Sequence, residues 1–145
     1  MAEITKMRPE HVHQVALIEK ECFSVPWSEK SLEEELFSDV AHFFVFTEGD
    51  EVLGYGGIHI MSGECYVDNI AVKPSRRRQG IGNILTEKLI ETAKNEKGEF
   101  ISLEVRKSNT AAQALYEKHG FLNVGVRKNF YDKPTEDAII MTKTF

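Results

Sequence analysis

The stretch RRRQGIGN, Arg76 to Asn83, sets three arginines and two glycines directly ahead of the apolar-periodic segment ILTEKLIETA. Arginine offers a forked set of donors to anionic oxygen, and glycine lacks the Cβ that keeps another group away from backbone N–H. Two readings are open at this point: an anion cradle at a helix start, or a solvated basic turn leading into a surface helix. Spacing narrows the chemistry. A P-loop needs GxxxxGK[ST], and no such lysine stands here; a dinucleotide fingerprint needs GxGxxG, and position 85 is Leu85. What remains is Arg77-x-x-Gly80-x-Gly82 after DNIAVKPS, with free backbone N–H groups at a helix N-terminus suited to a pyrophosphate.

The flanking segments supply the architecture. EITKMR reads as a short strand, and Pro9 opens a helix whose Val12, Val15, Ile18 and Cys22 share one face. FSVPWS interrupts it at Pro26, and Ser31 with Glu34 suggests a capping box for a short acidic helix, SLEEELFS, whose Glu33 to Glu35 read as a solvated face. HFFVFT, EVLGYGGIHIM and CYVDNIAVK are β-rich runs joined by EGD and SGE, which carry hairpin residues. The glycine-rich loop then leads into a helix with Ile81, Ile84, Leu85 and Leu89 on its apolar face, ending near Gly98. FISLEVR reads as a central strand, and SNTAAQALYEKHG as a helix with Ser108 at its N-cap and Gly120 just past its end. FLNVGVRKNFY and DAIIMTKTF, joined by DKPTE, close the chain as two strands. The predicted order is β-α-α-β-β-β-α-β-α-β-β, an α/β domain over residues 1–145 with a mixed, mostly antiparallel sheet flanked by helices.

Bulk properties exclude several classes. At 145 residues, with 41% hydrophobic and 28% charged residues, the chain suits one globular domain. Eighteen Lys+Arg against 23 Asp+Glu give a net charge of −5, so the overall basic footprint of a nucleic-acid binder is missing and the arginine cluster is local. MAEITKMRPE is too charged for a secretory signal, and no apolar run matches a membrane span, so the expectation is a cytoplasmic protein without a membrane partner. Cys22 and Cys65 form no CxxC and read as small buried hydrophobes; His11 and His13 face different sides of a helix, and no metal site is expected.

With its Arg77-x-x-Gly80-x-Gly82 loop following an IAV strand, and with this element order, the chain resembles the GNAT superfamily of N-acetyltransferases along its whole length. The resemblance implies acetyl-CoA as co-substrate. It implies that backbone groups at Ile70, Ala71 and Val72 pair with the pantetheine arm, while Arg77, Arg78, Gln79, Gly80, Ile81, Gly82 and Asn83 hold the pyrophosphate. PWSE (Pro26 to Glu29), LEVRxSNxxAxxLYxxxGF (Leu103 to Phe121) and RxNxYxxxxxDAIIM (Arg127 to Met141) are similar to the ribosomal-protein-alanine N-acetyltransferases, the RimI group. By that resemblance Glu104 is the general base, Tyr116 the general acid, and Asn109 a cofactor contact. Trp27 and Tyr131 belong to loops around an acceptor channel, and the N-terminal peptide of small-subunit ribosomal protein eighteen is the implied acceptor.

Each of these positions also has a plainer reading. Glu104 alternates with Leu103 and Val105, as a surface carboxylate on a strand would; Tyr116 fits amphipathic helix packing; Asn109 fits a helix start; Asp68 and Asn69 fit either a bulge or support of the cofactor strand. Where the RimI pattern has two tyrosines this chain has Phe130 and Tyr131, and the turn before Asp137 is short. The acceptor alternatives are other protein N-termini, lysine or a small amine on the same fold. Outside catalysis stand a CoA-binding sensor and an RNA contact through Arg76 to Arg78.

Overall fold

The computed structural model describes residues 1–145. In chain order they form β1 (Ala2–Lys6), α1 (Val12–Cys22), α2 (Glu29–Glu35), β2 (Ala41–Glu48), β3 (Glu51–Met61), β4 (Glu64–Val72), α3 (Ile81–Asn95), β5 (Phe100–Arg106), α4 (Thr110–Lys118), β6 (Leu122–Tyr131) and β7 (Glu136–Thr144). The predicted order is reproduced, with two 3-10 turns added at Pro9–His11 and Pro74–Arg76. Pro9 therefore opens a 3-10 turn, and the α-helix proper starts at Val12.

One seven-stranded sheet runs β1-β2-β3-β4-β5-β7-β6. Every neighbouring pair is antiparallel except β4 with β5. That parallel pair needs a crossover, which α3 supplies. The hairpins at Gly49 (φ 61°) and at Ser62–Gly63 (φ 52° and 83°) turn through the left-handed region that EGD and SGE were suited to.

Helices cover both faces, so the middle strands read as unbroken apolar runs rather than alternations. Phe43, Val45 and Tyr55 pack with Val12, Val15 and Ile18 of α1 and Leu32 of α2. On the opposite face Phe44, Ile58, Leu103 and Val105 pack with Leu89 and Ile90 of α3 and with Tyr116 and Phe121 around α4. Gly57 keeps the first layer thin: a Cβ there would stand 2.6 Å from Cζ of Phe43.

Three local expectations change. Ser28, not Ser31, caps α2: its hydroxyl accepts the Ser31 N–H at 3.1 Å, because the helix begins at Glu29, earlier than the apolar pattern implied. Asn109, not Ser108, caps α4, accepting the Ala112 N–H at 3.1 Å, while the Ser108 N–H is drawn to Glu136 Oε2 at 2.6 Å. Ile84 lies on the outer flank of α3, 38% exposed, whereas Ile81, Leu85 and Leu89 are buried. Cys65 is buried and Cys22 half-buried, both as free thiols. No helix is long and apolar enough to cross a membrane.

Candidate active site

The parallel pairing of β4 with β5 covers only Glu64 with Phe100, Cys65 with Ile101 and Tyr66 with Ser102. Immediately beyond, β4 is bulged: Asn69 faces Gly57 and Val67 faces Ile58, leaving Asp68 as the extra residue. A bulge bends its strand and sharpens the local twist. Here β4 leaves β5, and a cleft of about 460 Å³ opens between them. Val67, Asp68, Asn69 and Ile70 line one wall, and Leu103, Glu104, Val105 and Arg106 line the other.

The remaining walls come from three connections. Cys22 to Val25 and Trp27 belong to the end of α1 and the α1–α2 connection, Asn109, Ala112 and Tyr116 to α4 and its cap, and Phe130 to Asp132 to the end of β6 and the start of the β6–β7 turn. Glu104 and Tyr116, from different elements, thus share one cleft, with Asn109, Ile70, Trp27 and Tyr131 around them. Glu104 lies beyond the paired part of β4 and β5, where β7 alone still holds β5, and its carboxylate is 29% exposed, with Arg127 Nε 3.5 Å from Oε2. Tyr116 is buried, and burial, followed by the influence of Tyr131, pushes its phenol up to about 12. Tyr131 is likewise pushed up to about 12, first by burial and then by the Glu104 charge, with Arg106 acting the other way. Asn109 Oδ1 is committed to its helix cap, so its amide nitrogen is the group left for a ligand.

β4 continues from the cleft to the arginine-glycine loop, which does not itself line the cleft. Ala71 is buried against the α1 layer, and Val72 packs toward Ile81 and Leu85, so what these residues offer a ligand is backbone. Arg78 and Gly80 both have positive φ, 65° and 82°, and space stays open where a Cβ would project from Gly80. The 15-residue α3 starts at Ile81, where the first-turn N–H groups of Ile81, Gly82 and Asn83 have no partner inside the helix. The Ile81 side chain is buried, and that of Asn83 bonds His119 Nε2 at 2.6 Å and Glu87 at 3.5 Å. The arginines are divided: Arg76 bonds Gln79 and Glu48, and Arg77 reaches the Val72 carbonyl and Cys22 Sγ. An open, left-handed glycine ahead of a helix N-terminus fits the pyrophosphate of acetyl-CoA, and a splayed strand pair fits its extended arm.

Several supporting residues escaped the sequence reading. Glu19 of α1 is fully buried and accepts from the Trp27 N–H at 2.8 Å, from Asn69 Nδ2 at 3.1 Å and from the Tyr55 hydroxyl. Burial raises its carboxyl despite these three donors. One side chain therefore fixes the α1–α2 connection to β3 and to the bulged part of β4. The available signal was its place on the apolar stripe of Val12, Val15 and Ala16, where an acid is out of character. His59 is held between Asp68 Oδ2 at 2.5 Å and Glu35 Oε2 at 2.9 Å; burial opposes its charge, but the two carboxylates prevail and its basicity rises. Glu35 is thus an anchor for the bulge rather than a purely solvated face.

The sequence model of the Acetyltransferase (GNAT) family matches residues 12–121. The chain belongs to the GNAT acetyltransferase family. A Bacillus subtilis relative, 39% identical over 99% of this chain and 95% of its own, carries the name [ribosomal protein bS18]-alanine N-acetyltransferase provisionally. The Escherichia coli protein of that name is 38% identical over 86% of this chain and 84% of its own. The crystal structure of the Escherichia coli ribosomal-protein-S18-alanine N-acetyltransferase superposes with a TM-score of 0.91 and 33% identity, covering 99% of this chain and 94% of that one. GNAT enzymes use acetyl-CoA, the ligand for which the loop and cleft are suited.

Replacing Glu19 by Ala would strand three donors in the interior. The expected cost is about 2–5 kcal/mol in urea or thermal unfolding. A loss below about 1 kcal/mol would remove Glu19 as the tie between these elements.

Proposed function

We propose that this chain, as one cytoplasmic domain, acetylates a protein N-terminal α-amine from acetyl-CoA, with the N-terminal alanine of ribosomal protein bS18 as acceptor. The observation that carries the reading is the convergence of Glu104 and Tyr116 on one cleft at the opening of β4 from β5. The Escherichia coli and Bacillus subtilis relatives supply the acceptor.

Acetyl-CoA supplies the acetyl thioester. The chain would hold its pyrophosphate with backbone N–H groups of Arg78 to Asn83, aided by Arg77, and its arm along Ile70 to Val72, with Asn109 as a further contact. Glu104 takes the proton from the acceptor nitrogen, directly or through water, freeing the lone pair for attack on the carbonyl carbon. A terminal α-amine has a reference pKa near 7.7–8.0 against about 10.4 for lysine, so deprotonation at pH 7 costs about 1 kcal/mol rather than about 5. A single carboxylate is enough for that task. Backbone N–H near Val72 faces the developing oxyanion. Tyr116 returns a proton to the departing sulfur, and with its phenol at about 12 it keeps that proton throughout the neutral and mildly alkaline range.

Glu104→Gln preserves size and removes the base. Turnover of an alanine-starting bS18 peptide, read as thiol release, should fall roughly 10²- to 10⁴-fold at pH 7 with acetyl-CoA affinity nearly intact. Near-normal turnover would remove Glu104 from the mechanism. Gly80→Val introduces a branched side chain at a positive φ and fills the open space over the loop. Acetyl-CoA affinity measured by calorimetry should fall at least tenfold, and unchanged affinity would refute the cradle.

A further inference from the structure

Two residues beyond Glu104 on β5, Arg106 is the meeting point of the two connections that flank the cleft. One Nη2 contacts Ser24 Oγ at 3.2 Å and the Asp132 carbonyl at 2.8 Å; Nη1 reaches the Pro134 carbonyl at 3.0 Å and Glu136 Oε1 at 3.1 Å. The Ser24 hydroxyl completes the link by donating to the same Asp132 carbonyl at 3.1 Å. Above the guanidinium, the Tyr131 ring lies with its centroid 4.5 Å from Cζ. Ser24 belongs to the α1–α2 connection, while Asp132 and Pro134 belong to the β6–β7 turn, so the two connections meet on one side chain.

The anchor is rigid on its own side. The Arg106 side chain is 25% exposed and that of Glu136 is 19% exposed, and the other oxygen of Glu136 accepts the Ser108 N–H at 2.6 Å. Arg106 is paired in the sheet with Ala138, which is fully buried. A planar fork with five donors can satisfy four oxygens in different directions at once, which a lysine ammonium on a flexible stem does less well. Glu19 and the packing of Trp27 hold the α1–α2 connection to the sheet, whereas Arg106 and Ser24 tie it to the β6–β7 turn.

We infer that Arg106 is a positioning residue that locks the α1–α2 connection to the β6–β7 turn and so fixes the acceptor-binding walls of the cleft, an assignment that rests on the α-amine acetyltransferase reading for what the walls receive. It touches neither proton in the reaction. Its effect falls on how the acceptor is held, through Ser24, Asp132 and the Tyr131 ring. Glu104 is fixed by the β5 ladder, Asn109 donates its N–H to the Arg106 backbone carbonyl at 2.9 Å, which a side-chain substitution keeps, and the arginine-glycine loop lies elsewhere, so the base and the acetyl-CoA contacts stay in place when the Arg106 fork is lost.

The test pairs Arg106→Met, which keeps length and loses the fork, with Ser24→Ala, which keeps Arg106 and removes only the hydroxyl at the junction. Amide hydrogen exchange in the full chain should accelerate at least tenfold at residues 23–27 and 131–135 in Arg106→Met, by less in Ser24→Ala, and stay unchanged in β3 and β5. With the alanine-starting bS18 peptide as acceptor, KM for the peptide should rise at least tenfold in Arg106→Met while KM for acetyl-CoA stays within about twofold. Combining both substitutions should add little to Arg106→Met alone, since they break one shared junction. Unchanged exchange in both segments, or equal losses for peptide and acetyl-CoA, would overturn the assignment. A wild-type chain that turns over no α-amine peptide would refute the proposed acceptor, and the exchange comparison would still decide whether Arg106 locks the two walls.

Discussion

Three residue pairs hold β4 to β5, and the proposed reaction depends on the pairing stopping there. Parallel strands joined by a helical crossover ordinarily stay buried and paired along their length. Here the bulge at Asp68 turns β4 aside, so two adjacent central strands leave backbone groups facing a cleft instead of each other. Unpaired backbone inside a fold is costly unless something satisfies it. An extended, amide-containing ligand such as the arm of acetyl-CoA is a physical partner for such an opening.

Keeping the split open requires support from both sides. On β4, Glu19 and His59 grip the bulge: Glu19 binds Asn69, and His59 binds Asp68 and is itself held by Glu35. On β5, the ladder to β7 runs without a break from Phe100 to Arg106, so Glu104 sits on the best-supported part of the opening. The ion pairs that matter are the sheltered ones, because exposed pairs such as Arg8 with Glu10 contribute little. The site is thus a rigid β5 wall, a bent β4 wall buttressed by helices α1 and α2, and connections tied across the open side.

Much of this was legible in the sequence because it depended on local rules. The strand and helix order followed from apolar periodicity, the hairpins from EGD and SGE, and the loop chemistry from Gly80 and Gly82 before a helix. Glu104, Tyr116 and Asn109 were reachable only through resemblance, since nothing in their spacing reveals that β5 and α4 meet at a split. The helix caps were misplaced by one to three residues because Ser28 and Ser31, like Ser108 and Asn109, are chemically interchangeable as caps, and tertiary demands such as the pull of Glu136 on Ser108 N–H chose between them. Glu19, His59 and Arg106 were hidden for a different reason. Their partners lie 8 to 50 positions away for Glu19, and 82 for the Arg106 link to Ser24, distances over which periodicity carries no information.

In the proposed reaction this opening presents a terminal α-amine to Glu104 on β5. The most direct measurement is tandem mass spectrometry of a single peptide carrying both a free N-terminal alanine and an internal lysine, after reaction with acetyl-CoA and the chain under single-acetylation conditions. The acetyl group is expected on the alanine nitrogen, and none when that nitrogen is blocked. Acetyl on the lysine Nζ, with the α-amine left free, would contradict it.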